Sequence, residues 1–547
     1  MTHRILIPLL LIAMLLAGFT LFACGDDDDD DDDNNDNNTP DDDDTADDDD
    51  NDTADDDTAD DDTGDDDTVD DDTGDDDTSD DDTGDDDTGD DDTPDDYLAP
   101  WPQTNIEPGG YNEVPTPGPL RTKADEYDQW HLDYHQPYHG GTVGTAFTDV
   151  SRTTVDHHFD WNDSCEWTGL YLGSQAMRYH VTGNAQAKTN AIRVVEYLSG
   201  NLHVTDTPGF IARYWAEQDP LIYPSNEWCD EQERCHRIDS GPYAGNWWWG
   251  ETSRDMYNGW FFGMALAYDL IDDEDTRDLI REDVLHVLTT LKSQHWFILN
   301  EIGLPTDSAP NVMPGFRIAW LTIGYHITGD ATIKAELQKW LLNSKRMTLR
   351  LSSISFMNHY AQYYGNCLSH EYWYNLLRLG KAYFSQDDYD FMLNLFETQA
   401  HRFTRLTHNP WFNGVFMSQG DYNPEAEDDP YLAQLVEDLT TFRDAPLYSY
   451  HLDARDPLTY TLDPLSVFLH DLMEEYPWLE DLMGGVNYQA AEAFPVDLQC
   501  TTDFLFQRNP FRIEECGNDD PKHVNPGVDY LISYWLAAYH RFIDKEM

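Results

Sequence analysis

The feature that most constrains this chain is an alternation between two kinds of helical segment. Residues 255–271 carry apolar or small side chains on every helical face, with Tyr257 and Phe261 on one side and Trp260 on another. A helix that is apolar all round is buried all round. The next segment, residues 276–292, has an apolar stripe and a charged face, which is typical of a helix with one side in solvent.

The same pairing recurs along the chain. A buried helix followed by a half-exposed one must stack on its neighbours to cover its inner face, which predicts two concentric rings of helices. A linear solenoid is the alternative, but its repeat length would be regular, whereas these repeats carry long insertions of the kind that usually hold a functional site. The further pairs are 167–179 with 188–198, 316–325 with 333–342, and 372–384 with 389–403; 464–476 and 528–542 fit the pattern less closely, and the insertions are 200–250 and 405–460.

Two short motifs resemble the six-hairpin glycosidase-like superfamily of (α/α)6 barrels. They are Asp163-Ser-Cys-Glu-Trp-Thr-Gly-Leu-Tyr-Leu-Gly, followed by Tyr179 and Thr182-Gly183, and Ser253-Arg-Asp-Met-Tyr-Asn-Gly, followed by Ala267-Tyr-Asp-Leu. The resemblance implies an all-α (α/α)6 barrel, a toroid of paired inner and outer helices, over residues 156–547. It also implies action on carbohydrate, because the superfamily includes inverting glycoside hydrolases, unsaturated-uronide hydrolases and related polysaccharide lyases or epimerases.

The N-terminus is typical of an exported lipoprotein. Arg4 and the apolar run that follows it predict a signal peptide over residues 1–23, with a transmembrane helix as the rival interpretation. Leu21-Phe22-Ala23-Cys24 resembles a bacterial lipobox, in which the cysteine is lipidated. We therefore expect a protein anchored by lipid to a bacterial membrane, at the outer membrane or the cell surface.

An acidic segment separates this signal from the folded part. Residues 26–96 contain 44 Asp and no Lys or Arg, and Thr recurs every five residues from Thr53 to Thr93. Such a composition cannot form a core, so residues 24–96 are predicted to be a disordered linker that reaches at most ~240 Å. An irregular N-terminal extension is predicted over residues 97–155.

The charge of the remainder excludes two classes of partner. Residues 97–547 contain 65 acidic and 30 basic residues, a net charge of −35. Nucleic-acid affinity comes from Lys and Arg on phosphates, and anionic lipid surfaces attract basic segments. The sequence therefore predicts no nucleic-acid partner, and contact with a membrane only through the lipid anchor.

The cysteines predict disulfides rather than a metal cluster. Six cysteines besides Cys24 suit up to three disulfides in an exported protein. The local pairs Cys229–Cys235 and Cys500–Cys516 are favoured, which leaves Cys165 and Cys367. No CxxC spacing occurs, and the acidic runs lack the spacing of an EF-hand. No metal or other cofactor is predicted, and Ca²⁺ has no support from a motif.

The starts of the predicted inner helices are polar, and they would meet at one mouth if these helices run parallel. Glycoside hydrolysis needs two carboxyl groups, which we assign to Asp255 and Asp163, with Asp529 or Glu251 able to replace either. The same acids also suit helix caps, and three consecutive tryptophans also suit the filling of the barrel. The residues expected to contact substrate are Arg254, Trp248, Trp249, Tyr257, His370, Glu251 and Arg508.

Two other functions remain open at this point. Asn366, His370 and Tyr372 loosely resemble the Asn/His/Tyr sites of toroidal lyases, which would imply a polysaccharide lyase or epimerase acting on uronates. A non-catalytic glycan-binding toroid is the other alternative. Aromatic residues make up 13% of the chain, and their rings suit the apolar faces of sugars in either case.

Overall fold

The computed structural model describes most of the chain after residue 97. All described residues lie in one compact unit. The predictions for the signal peptide, Cys24, the linker, Arg508, Cys500 and Cys516 lie outside them. The described residues are 98–103, 118–222, 229, 234–306, 309–354, 356–361, 363–419, 422, 429–455, 459–479, 485–499, 509–515 and 520–547.

This part of the chain is predominantly helical, as predicted. Among its helices, none is long and apolar enough to span a bilayer. In chain order they are α1 Pro119–Trp130, α2 Ser164–Thr182, α3 Ala185–His203, α4 Arg254–Leu270, α5 Glu274–Ser293, α6 Pro314–Thr328, α7 Ala331–Leu341, α8 Arg346–Ser352, α9 Phe356–Tyr360, α10 Gly365–Tyr383, α11 Gln386–Leu395, α12 Pro410–Met417, α13 Pro430–Thr441, α14 Pro464–Glu475 and α15 Val528–Tyr539.

Helices α2, α4, α6, α10, α12 and α15 form the core, because they are apolar on nearly every face. Helix α2 contacts α4 and α15, α6 contacts α4 and α10, and α12 contacts α10 and α15. Helix α4 also contacts α10. In the same order, these helices pack against the amphipathic helices α3, α5, α7, α11, α13 and α1, and α4, α6 and α15 each contact a second one of them.

Five of the six amphipathic helices begin at side-chain caps; the exception is α1, which Gly118 precedes. Asn184 accepts a hydrogen bond from the Ala187 N–H at the start of α3, and Asp273, Asp330, Ser385 and Asp429 cap α5, α7, α11 and α13 in the same way. Such caps satisfy backbone donors that have no partner within the helix. Two of the core helices, α2 and α6, end at Gly183 and Gly329, whose φ angles are 66° and 64°. This left-handed conformation favours glycine.

One prediction of irregular structure is wrong, and one predicted insertion contains two helices. Helix α1 lies within residues 97–155, where its Tyr127 stacks on Tyr530 of α15 with ring centroids 5.2 Å apart. Helices α12 and α13 lie within residues 405–460, which the sequence analysis treated as an insertion. Helix α12 has only 8 residues, too few to show a helical period. Helix α14 forms where a helix was predicted, but it packs in a small separate cluster with Leu479 and Val486.

Two small antiparallel sheets add to the helices and were not predicted. One has the strand order β2-β1-β7-β6, and the other has β3-β5-β4. Strand β5 holds the three tryptophans at the centre of the second sheet, where Trp249 pairs with both Tyr214 and Cys235. The strands are β1 Gly144–Phe147, β2 Val155–Phe159, β3 Tyr214–Glu217, β4 Cys235–Arg237, β5 Asn246–Trp249, β6 Leu447–Tyr448 and β7 His523–Asn525.

One predicted disulfide is confirmed. Cys229 and Cys235 are bonded. Cys165 and Cys367, the pair left over in the sequence analysis, are both buried free thiols. The Cys165 thiol faces the Met256 carbonyl, and the Cys367 thiol donates to a carboxylate, so each sulfur has a different neighbour.

Candidate functional site

A crossing of glycines brings α2 and α4 into direct backbone contact. A Cβ atom on Gly169 would lie 1.9 Å from the Gly259 carbonyl oxygen, and one on Gly259 would lie 2.4 Å from Cα of Glu166. Gly263 approaches Gly169 in the same way. Because side chains cannot fit at this crossing, Glu166 lies against the first turns of α4.

Helices α2, α4, α6 and α10 begin at the same end of the molecule. At this end, Arg254 of α4 donates to the carbonyl oxygen of Asn311, just before α6. At the far end, Asp269 of α4 contacts both His326 of α6 and Arg378 of α10. The polar first turns of these helices therefore lie together.

A buried cluster of acids lies behind these first turns. Glu166 is 3% exposed and Glu371 is fully buried. The Asn258 amide donates to Glu371 Oε2 at 2.7 Å, and the Cys367 thiol donates to Glu371 Oε1 at 3.1 Å. Trp320 in turn donates to the Asn258 side-chain oxygen at 3.3 Å. Three helices thus contribute to one hydrogen-bonded network.

Burial keeps these acids protonated. It raises the pKa of Glu371 to about 8, and it raises the pKa of Glu166 well above its usual range with help from the charges of Glu371 and Asp255. Moving an ionised carboxylate from water into the protein interior without a cationic partner costs roughly several kcal/mol, so the neutral form is favoured. Both glutamates therefore act as neutral hydrogen-bonding groups at neutral pH.

Asp255 lies between this cluster and solvent. Its side chain is 22% exposed, and its Oδ1 atom is buried without a hydrogen-bond partner among the described residues. Burial raises the pKa of Asp255, while Arg254 and Arg213 oppose that effect. The carboxyl group is thus biased toward its protonated form while its side chain stays partly exposed.

Arg213 connects two other predicted acids, Asp163 and Glu251, to the surroundings of Asp255. Its Nη1 donates to Asp163 Oδ1 at 3.0 Å, and its Nε donates to the Glu251 carbonyl oxygen at 2.8 Å. Arg213 is almost fully buried, whereas the Asp163 side chain is 41% exposed. The arrangement holds a solvent-facing carboxyl group, that of Asp163, on the same arginine whose charge acts on Asp255. The sequence analysis missed Arg213, although a single cation in the apolar run Ile211-Ala212-Arg213-Tyr214-Trp215 was a signal.

Two predicted substrate contacts are wrong, because their side chains belong to the core. Tyr257 is 1% exposed, and its hydroxyl donates to the Gly209 carbonyl oxygen at 2.8 Å. His370 is fully buried; its Nδ1 donates to the Asn366 carbonyl oxygen at 2.7 Å, and its ring packs on Phe412. Both residues face neighbouring segments rather than a cavity.

The tryptophan run is covered, which opposes the expectation that Trp248 and Trp249 contact substrate. Trp248 and Trp249 are 6% and 7% exposed, and Trp248 stacks on His236 at 4.0 Å. Trp161, which precedes α2 and was not predicted, is partly exposed and lies edge-on to both Trp247 and Trp249. Trp161 is the aromatic ring nearest to solvent in this group.

Two further predicted acids are placed less directly. Asp529 is fully buried at the start of α15, where it accepts from the Tyr530 backbone N–H. Glu251 has a left-handed backbone with φ of 48°, and its partly exposed side chain follows the tryptophan strand. Both positions lie in first turns or in the loops that lead to them.

One set of donor atoms in the buried cluster has the spacing of a metal site. One ligand atom from each of Glu166, Cys367 and Glu371 lies within 4.8 Å of the others. Thiolate and carboxylate donors would suit a divalent transition metal. A second group, on the surface of α14, consists of His470, Asp471 and Glu474. The expectation that the chain uses no metal stays a prediction.

Comparisons with protein-family models, curated proteins and solved structures found no match to this chain. The resemblance stated above therefore depends on the motifs of residues 163–183 and 253–270 alone.

Proposed function

We propose that the protein hydrolyses glycosidic bonds, with Asp255 as the general acid and Asp163 as the general base. The observation that carries the proposal is the different environment of the two carboxyl groups. Asp255 has a pKa raised by burial, and Asp163 is a solvent-facing carboxylate held by Arg213. Environments that push the pKa values of two carboxyl groups apart are the usual basis for assigning one as the acid and the other as the base.

The chemistry needs one protonated and one charged carboxyl group on either side of the scissile bond. A separation of about 6.5–9.5 Å admits a water molecule and inverts the anomeric centre. Asp255 would protonate the leaving oxygen, and Asp163 would take a proton from water. Arg213 would keep Asp163 charged, because a guanidinium at 3.0 Å favours the carboxylate.

The glutamates behind Asp255 have a positioning role in this proposal. If Glu166 or Glu371 were ionised, a further charge would lie beside the catalytic acid. As neutral groups they anchor Asn258 and the first turns of α4 without adding charge.

Polar atoms without partners support a ligand at this end of the helices. Both amide atoms of Asn366, the Thr252 hydroxyl and Asp255 Oδ1 are buried without a hydrogen bond among the described residues. Such groups are costly unless water or a ligand satisfies them. A sugar, which carries many hydroxyl groups, offers both donors and acceptors.

We further propose that the six helix pairs form an (α/α)6 toroid. Support comes from the order of contacts, in which each core helix meets the next and α15 meets α2. In such a toroid the inner helices would present their first turns around one mouth; Asp163 immediately precedes α2, and Asp255 is in the first turn of α4. The uronate lyase alternative gains no support from His370, because that ring is used within the core.

The test is a screen of neutral and acidic glycans for release of reducing ends. Asp255→Asn should lower kcat by about 10²–10⁴, the usual contribution of a general acid, and the rate should fall as pH rises through the Asp255 pKa. Asp387→Asn is the matched control, because its side chain is 81% exposed and distant in sequence. Full activity in Asp255→Asn would overturn the assignment, and ultraviolet absorbance from unsaturated uronides would indicate elimination. Glycan binding without turnover would favour a non-catalytic toroid.

We also propose that the protein is exported and anchored by lipid at Cys24. The basis is the N-terminal pattern of residues 1–24. Metabolic labelling with a fatty-acid analogue should mark the wild-type protein and not Cys24→Ser. Labelling of both, or of neither, would contradict the anchor.

A further inference from the structure

A cleft opens at the end of the core helices opposite to Asp255. Its volume is about 360 Å³, and it lies where α4, α6 and α10 end. Pro102 and Gln103 cover part of it, and the Gln103 N–H bonds to the Tyr383 hydroxyl at 3.2 Å. Small-molecule sites commonly have volumes of roughly 300–1,000 Å³, so this cleft suits a molecule of monosaccharide size.

The cleft is rich in cationic side chains, although the chain as a whole is acidic. Arg277, Arg281 and Arg378 line it together with His326, against the acids Asp269 and Glu274. The folded part has a net charge of −35 over residues 97–547. Three arginines around one cavity of so acidic a protein indicate a preference for an anion.

The acid at the base of the cleft is already neutralised. Asp269 accepts from His326 Nε2 at 2.6 Å and from Arg378 Nη1 at 2.6 Å. Burial alone would raise the Asp269 pKa, but these two partners outweigh it and hold the pKa below its usual range. Arg378 is itself held by the Asn375 side-chain oxygen at 3.0 Å, so the base of the cleft is rigid.

The two arginines on the wall keep capacity for a ligand. Arg277 donates from Nε to the Tyr268 carbonyl oxygen at 3.0 Å, and Arg281 donates from Nη2 to the Tyr268 hydroxyl at 3.2 Å. Their acidic partners, Glu274 and Asp278, are 78% and 65% exposed. Exposed pairs of this kind are weak, so a ligand oxyanion can take their place.

We propose that this cleft binds a small sugar acid or sugar phosphate, whose oxyanion is held by Arg277 and Arg281. Guanidinium groups bind carboxylates and phosphates through paired N–H donors. The site is separate from the acids at the starts of the helices, so it does not depend on the proposed hydrolysis. A ligand there would contact the ends of α4, α6 and α10 and the segment that precedes residue 104.

Calorimetric titration of the full mature chain tests the proposal. The probes are glucuronate and glucose 6-phosphate, with glucose as the uncharged control, at constant ionic strength. We expect one of the two acids to bind and glucose not to bind, and the identity of the binder distinguishes a carboxylate from a phosphate ligand. No binding of either acid, or equal binding of glucose, would overturn the proposal.

Variants locate the binding. The double change Arg277→Gln and Arg281→Gln should weaken affinity at least about tenfold, because the charge-assisted bonds are lost. Arg346→Gln is the control, since Arg346 also forms partly exposed ion pairs, with Asp387 and Asp388. Asp255→Asn should leave binding unchanged. Unchanged affinity in the folded double variant would place the ligand elsewhere and refute the inference.

Discussion

Replacing Gly259 by Ala tests whether the crossing of α2 and α4 positions the site. The new Cβ would meet Glu166 at 2.4 Å from Cα, 2.5 Å from the carbonyl oxygen and 2.8 Å from the carbonyl carbon. All three are backbone atoms, so no side-chain rotation relieves the contact. The helices must separate by roughly 1 Å to restore ordinary contact distances.

The expected cost follows from two opposing effects. Overpacking of a dense core costs about 1–3 kcal/mol, and it lies at the upper end here because backbone atoms must move. The exchange of Gly for Ala inside a helix stabilises by about 1 kcal/mol. The net expectation is a loss of about 1–2 kcal/mol in the free energy of unfolding. Separation of the helices should also draw Glu166 away from Glu371 and lower any activity that depends on Asp255.

Urea unfolding followed by circular dichroism measures the loss, with Gly414→Ala as the control. Gly414 also lies inside a core helix, but the nearest atom to its new Cβ is the end of the Leu536 side chain, at 2.9 Å. That side chain can move, so Gly414→Ala should be neutral or slightly stabilising. If Gly259→Ala proves as stable as Gly414→Ala, the contact between α2 and α4 is looser than described, and it does not position the acids.

Three other predictions concern protonation and the cysteines. The stability of the wild-type protein should fall as pH rises from 4.5 toward about 8, because folded Glu371 keeps a proton that the unfolded chain releases. Glu371→Gln should remove up to about 1.4 kcal/mol per pH unit of that slope. Equal slopes in the two proteins would contradict the buried proton. Reduction of Cys229–Cys235 should lower stability by about 2 kcal/mol, whereas a Cys229→Ala, Cys235→Ala variant should not respond to reductant at these positions. Cys165 and Cys367 should resist a thiol reagent in the native protein and react after denaturation. Reaction of further thiols in the oxidised, lipidated protein would contradict the predicted Cys500–Cys516 pair.

Helix positions were predictable where the helical period is long enough to be read locally. The segments that became α2, α4, α6 and α10 were predicted because each carries apolar residues through several turns. Helix α12 was not, since its 8 residues span about two turns. Helix α1 was not either, because its apolar face is narrow and becomes meaningful only against α15.

The candidate site was predictable in part. Polar residues at the starts of apolar helices marked Asp163 and Asp255 before any coordinates. The pairing of Glu166 with Glu371 was not predictable, because these residues are about two hundred positions apart and no local period relates them. Arg213, which holds Asp163, immediately precedes strand β3, in a region that gave no helical signal.

By itself, the sequence determined where most of the buried helices form, since these follow from local composition and period. Only the tertiary structure decided the state of individual side chains. From the sequence, three consecutive tryptophans suit contact with substrate or the filling of a barrel, whereas strands β3 and β4 on either side place them at the centre of a sheet. The protons on the buried glutamates have the same origin, because a pKa depends on the water and charges that surround a group in space.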